Sequence, residues 1–216
     1  MNKKLERELN GPTWTEVILG ALLSLLLGIA LAAVYLALKP VTTVKALPQE
    51  PAPGVVYYVE GSRNSVSLSA LAAKQKTFIE GGSIELTEEE VNQFVGAAAK
   101  TAVTADAAQN VGAGVPNFRI RDGVMQIGIP LQLDVAGFAP RVILQARGGF
   151  EKRGDVFVFS PSELYLGSCP LQRVPAATGL VMKRIYGSLN VPEEIATSWR
   201  QLSDVSVEGS KLRLTM

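Results

Sequence analysis

Hydrophobic positions cluster first in one unbroken run near the start of the chain. Residues 17–38 carry no charged side chain and are apolar almost throughout. A helix over this run spans ~33 Å at ~1.5 Å per residue, and the hydrocarbon core of a bilayer is ~30 Å thick. Trp14 and Tyr35 lie near the two ends, where aromatic rings favour the membrane interface. The pattern predicts a transmembrane helix over 13–39 after a tail at 1–12, with Thr13 or Thr15 as its cap.

A cleaved signal peptide is the alternative to a retained anchor. The letters "ALA" at 30–32 fit a cleavage site, but apolar residues continue through Leu38 and no polar region precedes the cut. The run therefore favours an anchor. Three basic residues precede it (Lys3, Lys4, Arg7) and two follow it closely (Lys39, Lys45). This bias predicts a cytoplasmic N-terminus and a C-terminal domain outside the cytoplasm.

Small residues recur at every fourth position of the apolar run. They are Gly20, Ser24, Gly28 and Ala32, within the stretch "GALLSLLLGIALA". Small side chains at this spacing let the backbones of two membrane helices approach closely. The spacing predicts a helix-packing face, for a homodimer or for a partner's membrane helix.

Proline-rich sequence separates the predicted membrane helix from the rest of the chain. Residues 40–54 contain Pro40, Pro48, Pro51 and Pro53. Such density is typical of an extended, semi-stiff spacer. We therefore expect the domain at 55–216 to be held some distance from the membrane.

A strand followed by a helix is predicted at "SIELTEEEVNQFVGAAAK". Ile84 to Leu86 has strand composition, and Thr87 with Glu90 forms the pattern of a capping box for a helix over 87–100. The three consecutive glutamates at 88–90 indicate a solvated helix start, favoured by the helix dipole, rather than a metal site. A shorter helix is expected at 65–78.

Alternating apolar and polar positions then predict an antiparallel meander. Asp122-Gly123 suits a two-residue hairpin turn, and the strand after it places one apolar residue at every second position. Pro130 in this strand indicates an edge, a bulge or a bend. Further strands are expected near 141–150 and 155–159, helices at 175–186 and 191–202, and two short strands around Glu208-Gly209. The fold class is therefore α+β, with a curved antiparallel sheet packed on helices.

The apolar face of this sheet must be covered. A closed core and an open groove for a lipid place the same residues inward, so the periodicity does not distinguish them. The residues that would line a lipid or apolar ligand are Met125, Ile127, Ile129, Leu131, Leu133 and Phe94.

The amino-acid composition excludes several kinds of functional site. The chain has no histidine, which excludes catalytic systems that depend on His and zinc sites ligated by His. The single cysteine, Cys169, is expected to be a small buried residue. The net charge of +1 lacks the basic surplus of a nucleic-acid-binding protein. We predict no enzyme activity, no cofactor, no metal and no nucleic-acid partner.

The order of these phrases resembles a known family. An N-terminal span, "IELTEEEVNQFV", a long amphipathic hairpin, "LYLGSCPLQRVP" and "VSVEGSKLRLTM" are similar to the YpmS-like membrane-anchored bacterial proteins, and more loosely to TULIP-type lipid-binding domains. The resemblance covers about residues 83–216 and supplies no functional residues. It implies a single-pass protein of the bacterial inner (cytoplasmic) membrane with an envelope domain that binds a lipid. The alternative hypothesis is a scaffold or accessory subunit of a membrane complex.

Overall fold

A computed structural model describes residues 11–102, 111–133, 140–174, 178–182 and 192–216, without the side chains of 97–102, 111–113 and 133. The longer described helices are α1 (Trp14–Leu38), α2 (Leu68–Ile79), α3 (Glu88–Ala102) and α4 (Glu193–Arg200), and Leu171–Arg173 forms one turn of 3-10 helix. The strands are β1 (Thr42–Val44), β2 (Tyr57–Val59), β3 (Ile84–Thr87), β4 (Val111–Ala113), β5 (Asn117–Arg121), β6 (Val124–Leu133), β7 (Arg141–Arg153), β8 (Val156–Leu166), β9 (Cys169–Pro170), β10 (Asp204–Glu208) and β11 (Lys211–Thr215). The predicted α+β class is confirmed. The helix predicted at 175–186 lies mostly outside the described residues, and its 178–182 part is helical.

Helix α1 is long and apolar enough to cross a membrane. Its start is a capping box: the Thr13 hydroxyl accepts from the Glu16 N–H, and the Glu16 carboxylate accepts from the Thr13 N–H. Each of these side chains accepts a hydrogen bond from a backbone N–H that the start of a helix would otherwise leave unpaired. No residue of α1 is buried, and residues 14–32 are all exposed.

The other end of α1 is joined to the domain. Ser168, in the turn between β8 and β9, donates its N–H to Leu36 O (2.9 Å) and its hydroxyl to Lys39 O (3.3 Å). These carbonyls belong to the helix end, where intrahelical donors run out. Gly167 packs so tightly that a Cβ there would lie 2.2 Å from Ala37 O. The domain therefore caps the helix directly.

The segment 40–54 is consequently not an extended spacer between α1 and the domain. Its residues Thr42–Val44 form β1, which pairs in parallel with β2. Because this segment folds back along the domain, its proline content does not separate the domain from α1. The domain contacts the end of α1 directly, and its distance from a membrane stays a prediction.

The largest sheet has the order β4-β6-β7-β8-β9 in the described residues, with β5 also beside β6. The predicted hairpin is confirmed. Asp122 and Gly123 both have positive φ (53° and 74°), as the two central residues of a type I′ turn require. The register of β7 against β8 shifts between Arg147 and Gly148, a bulge that bends the strand.

Pro130 lies inside β6, where the neighbour of that strand changes. β5 pairs with β6 up to Gly128, and β4 pairs with it from Leu131 onward. Pro130 O accepts from the Gly114 N–H (2.7 Å), so the nitrogen of Pro130 faces the same gap between β4 and β5. Because proline has no N–H to donate back to Gly114, the pairing at this point rests on a single hydrogen bond.

One apolar face of this sheet packs on the helices and on the three-stranded sheet β10-β11-β3. Phe150 contacts Phe159 edge-on (5.7 Å) and Trp199 of α4 (6.0 Å), and Trp199 donates its indole N–H to Phe157 O (2.8 Å). Ala33 and Leu36 of α1 join the same apolar cluster. Cys169 is buried within it, and burial raises the pKa of its thiol, as expected for an unreactive core residue.

The glutamates at the start of α3 bind within the domain. Glu90 completes the predicted capping box with Thr87 and pairs with Lys74 Nζ (2.7 Å). Glu88 accepts from the backbone N–H groups of Ser62 and Ile120. The expectation of a solvated helix start was wrong for Glu88 and Glu90, because these carboxylates join α3 to neighbouring segments.

Candidate functional site

The residues predicted to line a lipid site on the apolar face are largely part of the packed interior. Met125 is 2% exposed and lies in the core cluster. Ile127, Ile129 and Leu131 are half-buried and pack against the same cluster. Phe94 is half-buried on α3, and the side chain of Leu133 lies outside the described residues. Met125 is thus enclosed by protein and not open to a ligand in this structure.

The opposite face of the sheet is also covered, which alternation alone did not predict. Tyr58 and Val59 of β2 cross it and are 2% and 3% exposed. Gly128 makes the crossing possible, because a Cβ there would lie 2.2 Å from the hydroxyl of Tyr58. Gln126 beneath this segment is buried and donates to Val59 O (3.4 Å).

Asn117, at the start of β5, anchors this covering segment. Its side-chain oxygen accepts from the Gly61 N–H (2.6 Å) and the Tyr58 hydroxyl (3.2 Å), and its amide nitrogen donates to Gly61 O (3.2 Å). The same nitrogen lies 3.4 Å from the Asn92 side-chain oxygen. Burial, and then the nearby Glu60 carboxylate, raise the pKa of Tyr58 to about 12, so its hydroxyl stays a donor.

A cavity of about 220 Å³ lies between the covering segment and the sheet. We call it the linker groove. Its apolar wall comes from the segment that leads away from α1, and its floor from the polar face of the sheet. It is lined by Leu47, Val55, Val56, Tyr57, Val59, Arg119, Gln126, Gln145, Arg147, Glu163 and Tyr165. An apolar wall with a few converging polar groups is the usual make-up of a small-molecule site.

One polar atom in the groove is left without a partner. Gln145 is 5% exposed, and its Nε2 has no hydrogen-bond partner among the described residues. A buried donor left unpaired costs roughly 1–3 kcal/mol. Most such atoms in native proteins are satisfied by protein, water or a ligand. The Gln145 Nε2 has less than 1 Å² of accessible surface, so it lies behind the lining of the groove.

The charges of the groove are positive on balance. Arg147 lies 3.5 Å from Glu163 in an ion pair with half-exposed partners. Arg119 makes no ion pair within the described part of the chain, and it lines both the groove and a smaller depression beside it. Arg147 thus shares its charge with Glu163, whereas Arg119 has no carboxylate partner among the described residues.

The lining of the groove offers hydrogen-bonding groups and apolar surface. No group of three or more Cys, Asp or Glu side chains suited to a metal ion occurs in the described residues. The groove is lined by amides, arginines, tyrosines and one carboxylate, with no cysteine or serine nucleophile among its lining residues.

The small residues of α1 lie on an open helix surface. A Cβ at Gly20 or Gly28 would meet nothing within 4 Å, and Ser24 and Ala32 are exposed. The four small residues therefore form an exposed face of α1, and a partner helix for this face stays a prediction.

The linker groove is not predicted from the sequence, because its polar lining has the pattern of a solvated strand face. Two signals indicated otherwise. Gly128 interrupts a regular strand, which is typical of a close approach by other backbone or side chains. The pair Tyr57-Tyr58 comes just after the proline-rich segment, where large amphipathic rings suit a partly buried cover.

Comparisons of the chain with protein-family models, with curated proteins and with solved structures return no match. The YpmS-like and TULIP-type resemblance therefore stays a prediction from the sequence.

Proposed function

We propose that this chain is a non-enzymatic, single-pass membrane protein whose domain binds a lipid-like ligand in the linker groove. The observation that carries the proposal is the cavity of about 220 Å³ with an apolar wall and the unpartnered Gln145 amide. This site replaces the one predicted on the Met125 face, because that face is filled by the core cluster.

The junction with α1 supports a location at the membrane surface. Ser168 binds the carbonyls of Leu36 and Lys39, at the end of the apolar run. A domain capped onto this helix end lies at the bilayer interface, within reach of lipids and their breakdown products. The wall residues Val55 and Val56 follow soon after in the chain and belong to the segment folded against the domain.

The orientation and the membrane belong to the same proposal. The basic residues Lys3, Lys4 and Arg7 before the span favour a cytoplasmic N-terminus. Together with the resemblance to envelope proteins, this bias supports a domain outside the cytoplasm, on the bacterial inner membrane. A cysteine introduced at exposed Ser210, labelled from outside intact cells, tests this; protection from an impermeant thiol reagent would contradict it.

Native mass spectrometry of the full chain, released from mild detergent, tests ligand binding. The expected result is a bound species of lipid-like mass. Val55→Trp narrows the groove and should abolish that species, whereas Leu68→Trp, at a residue that is 70% exposed and outside the groove lining, should retain it. No bound species in the unmodified chain, or the same occupancy in Val55→Trp, would contradict the proposal.

A scaffold function is the second candidate. It is favoured by the open surface of α1 around Gly20 and Gly28. Gly20→Leu with Gly28→Leu should lower self-association or partner capture in a membrane reporter, because leucine keeps the helices apart. Unchanged association in the double variant would reject this face as the contact.

A further inference from the structure

The polar floor of the linker groove is built as two neighbouring rows across the sheet. In the first row Arg119 pairs with Gln126, Gln126 with Arg147, and Arg147 with Glu163. Strands lie ~4.8 Å apart, so the backbones of the two arginines are ~10 Å apart with Gln126 between them. Two guanidinium groups at this separation can approach one anionic group from both sides.

The second row supplies a neutral donor beside this pair. Gln145 pairs with Tyr165 and with Gly128, and the ring of Tyr58 occupies the space that Gly128 leaves. The Gln145 Nε2 is buried and has no partner among the described residues. This atom has less than 1 Å² of accessible surface, so an acceptor oxygen of a ligand in the groove would satisfy it once the amide turns toward the groove.

The net charge of the lining residues indicates how many negative charges a bound ligand carries. Arg119, Arg147 and Glu163 leave the lining with one net positive charge. A carboxylate neutralises that charge, whereas a phosphomonoester carries ~1.5–2 negative charges at pH 7 and would be repelled by Glu163.

The volume limits the size of the part that is enclosed. An apolar cavity of ~150 Å³ holds a benzene molecule. The linker groove, at about 220 Å³, therefore has room for a carboxylate with a chain of several carbons. The apolar wall formed by Leu47, Val55 and Val56 suits that chain.

We propose that the linker groove binds a single-chain monocarboxylate, such as a fatty acid, with the carboxylate held by Arg119, Arg147 and Gln145 and the chain against Leu47 and Val55. This inference rests on the proposed function and adds the chemical class of the ligand. A planar carboxylate can accept two hydrogen bonds from an arginine and a further one from an amide.

Calorimetric titration of the full chain in nanodiscs tests this, with empty nanodiscs as the blank. The probes are octanoate and its neutral isostere octanamide. Octanoate should bind saturably and at least tenfold more tightly than octanamide, because charge-assisted hydrogen bonds are about twice as strong as neutral ones. Equal binding of both probes would overturn the anion assignment and leave the proposed function standing. Absence of saturable octanoate binding would also overturn it, while native mass spectrometry tests the broader function separately.

Two variants locate the contacts. Arg119→Met should weaken octanoate about tenfold, and Arg141→Met, an exposed arginine of β7 that does not line the groove, should change it less than twofold. Gln145→Leu should weaken octanoate about fivefold without lowering the melting temperature, because it removes an unpaired donor. Unchanged octanoate affinity in both Arg119→Met and Gln145→Leu would overturn the proposal, whatever their stability.

Discussion

The segment that covers the linker groove depends on Asn117, and replacing that residue provides a quantitative test. Asn117→Ala removes hydrogen bonds to the Tyr58 hydroxyl, the Gly61 N–H and Gly61 O. Asn117 is 2% exposed, so water does not replace the lost partners without disruption. Each buried group left unpaired costs roughly 1–3 kcal/mol, and two donors are stranded here. We expect a loss of about 4 kcal/mol in the free energy of unfolding.

Urea unfolding in detergent micelles measures this loss. Trp199 is the reporter, because it packs on Phe150 and binds Phe157 O, and Trp14→Phe removes the other tryptophan. The matched control is Asn64→Ala at an exposed asparagine, which should change the free energy by no more than about 0.5 kcal/mol. If the two alanine variants differ by less than 1 kcal/mol, Asn117 does not anchor the segment and the reasoning is refuted.

Three further predictions concern ionisation, the helix junction and the capping box. The pKa of Tyr58 is about 12 against an ordinary value near 10, so the stability gained from its neutral hydroxyl is fully present below pH 10 and is lost as the pH rises through 12. The free energy of unfolding should fall over this range by about 2–3 kcal/mol more than in Tyr58→Phe, and equal pH slopes would contradict this. Gly167→Ala should destabilise the domain by ~2 kcal/mol more than Gly154→Ala, because both glycines have positive φ but a Cβ at Gly167 alone meets other backbone, and equal shifts in melting temperature would refute the junction. Glu90→Ala should cost about 2 kcal/mol in urea unfolding, because it removes both a helix cap and the partner of Lys74; a loss below 0.5 kcal/mol would contradict that role.

Much of the fold could be predicted because its signals are local. The apolar run of α1, the Thr87 and Glu90 capping box and the Asp122-Gly123 turn each need only neighbouring residues. The same holds for β6, whose alternation specifies which side chains face the core. These elements are confirmed with small shifts at their ends.

The contacts between distant segments could not be predicted in the same way. Ser168 caps a helix that ends about 130 positions earlier, and Tyr58 covers Gly128 from a different part of the chain. Periodicity describes which face of a strand is apolar, but not which segment crosses the other face. For this reason the proline-rich stretch by itself indicates a spacer, and the sequence does not predict the linker groove.

The most direct test of the account is the location of a bound monocarboxylate in an experimental structure of the full chain with 8-bromooctanoate. The account predicts the carboxylate between Arg119 and Arg147, beside the Gln145 amide, and the bromine signal along the wall formed by Leu47 and Val55. A bromine signal on the Met125 face, or an empty linker groove at a saturating concentration of the probe, would contradict it.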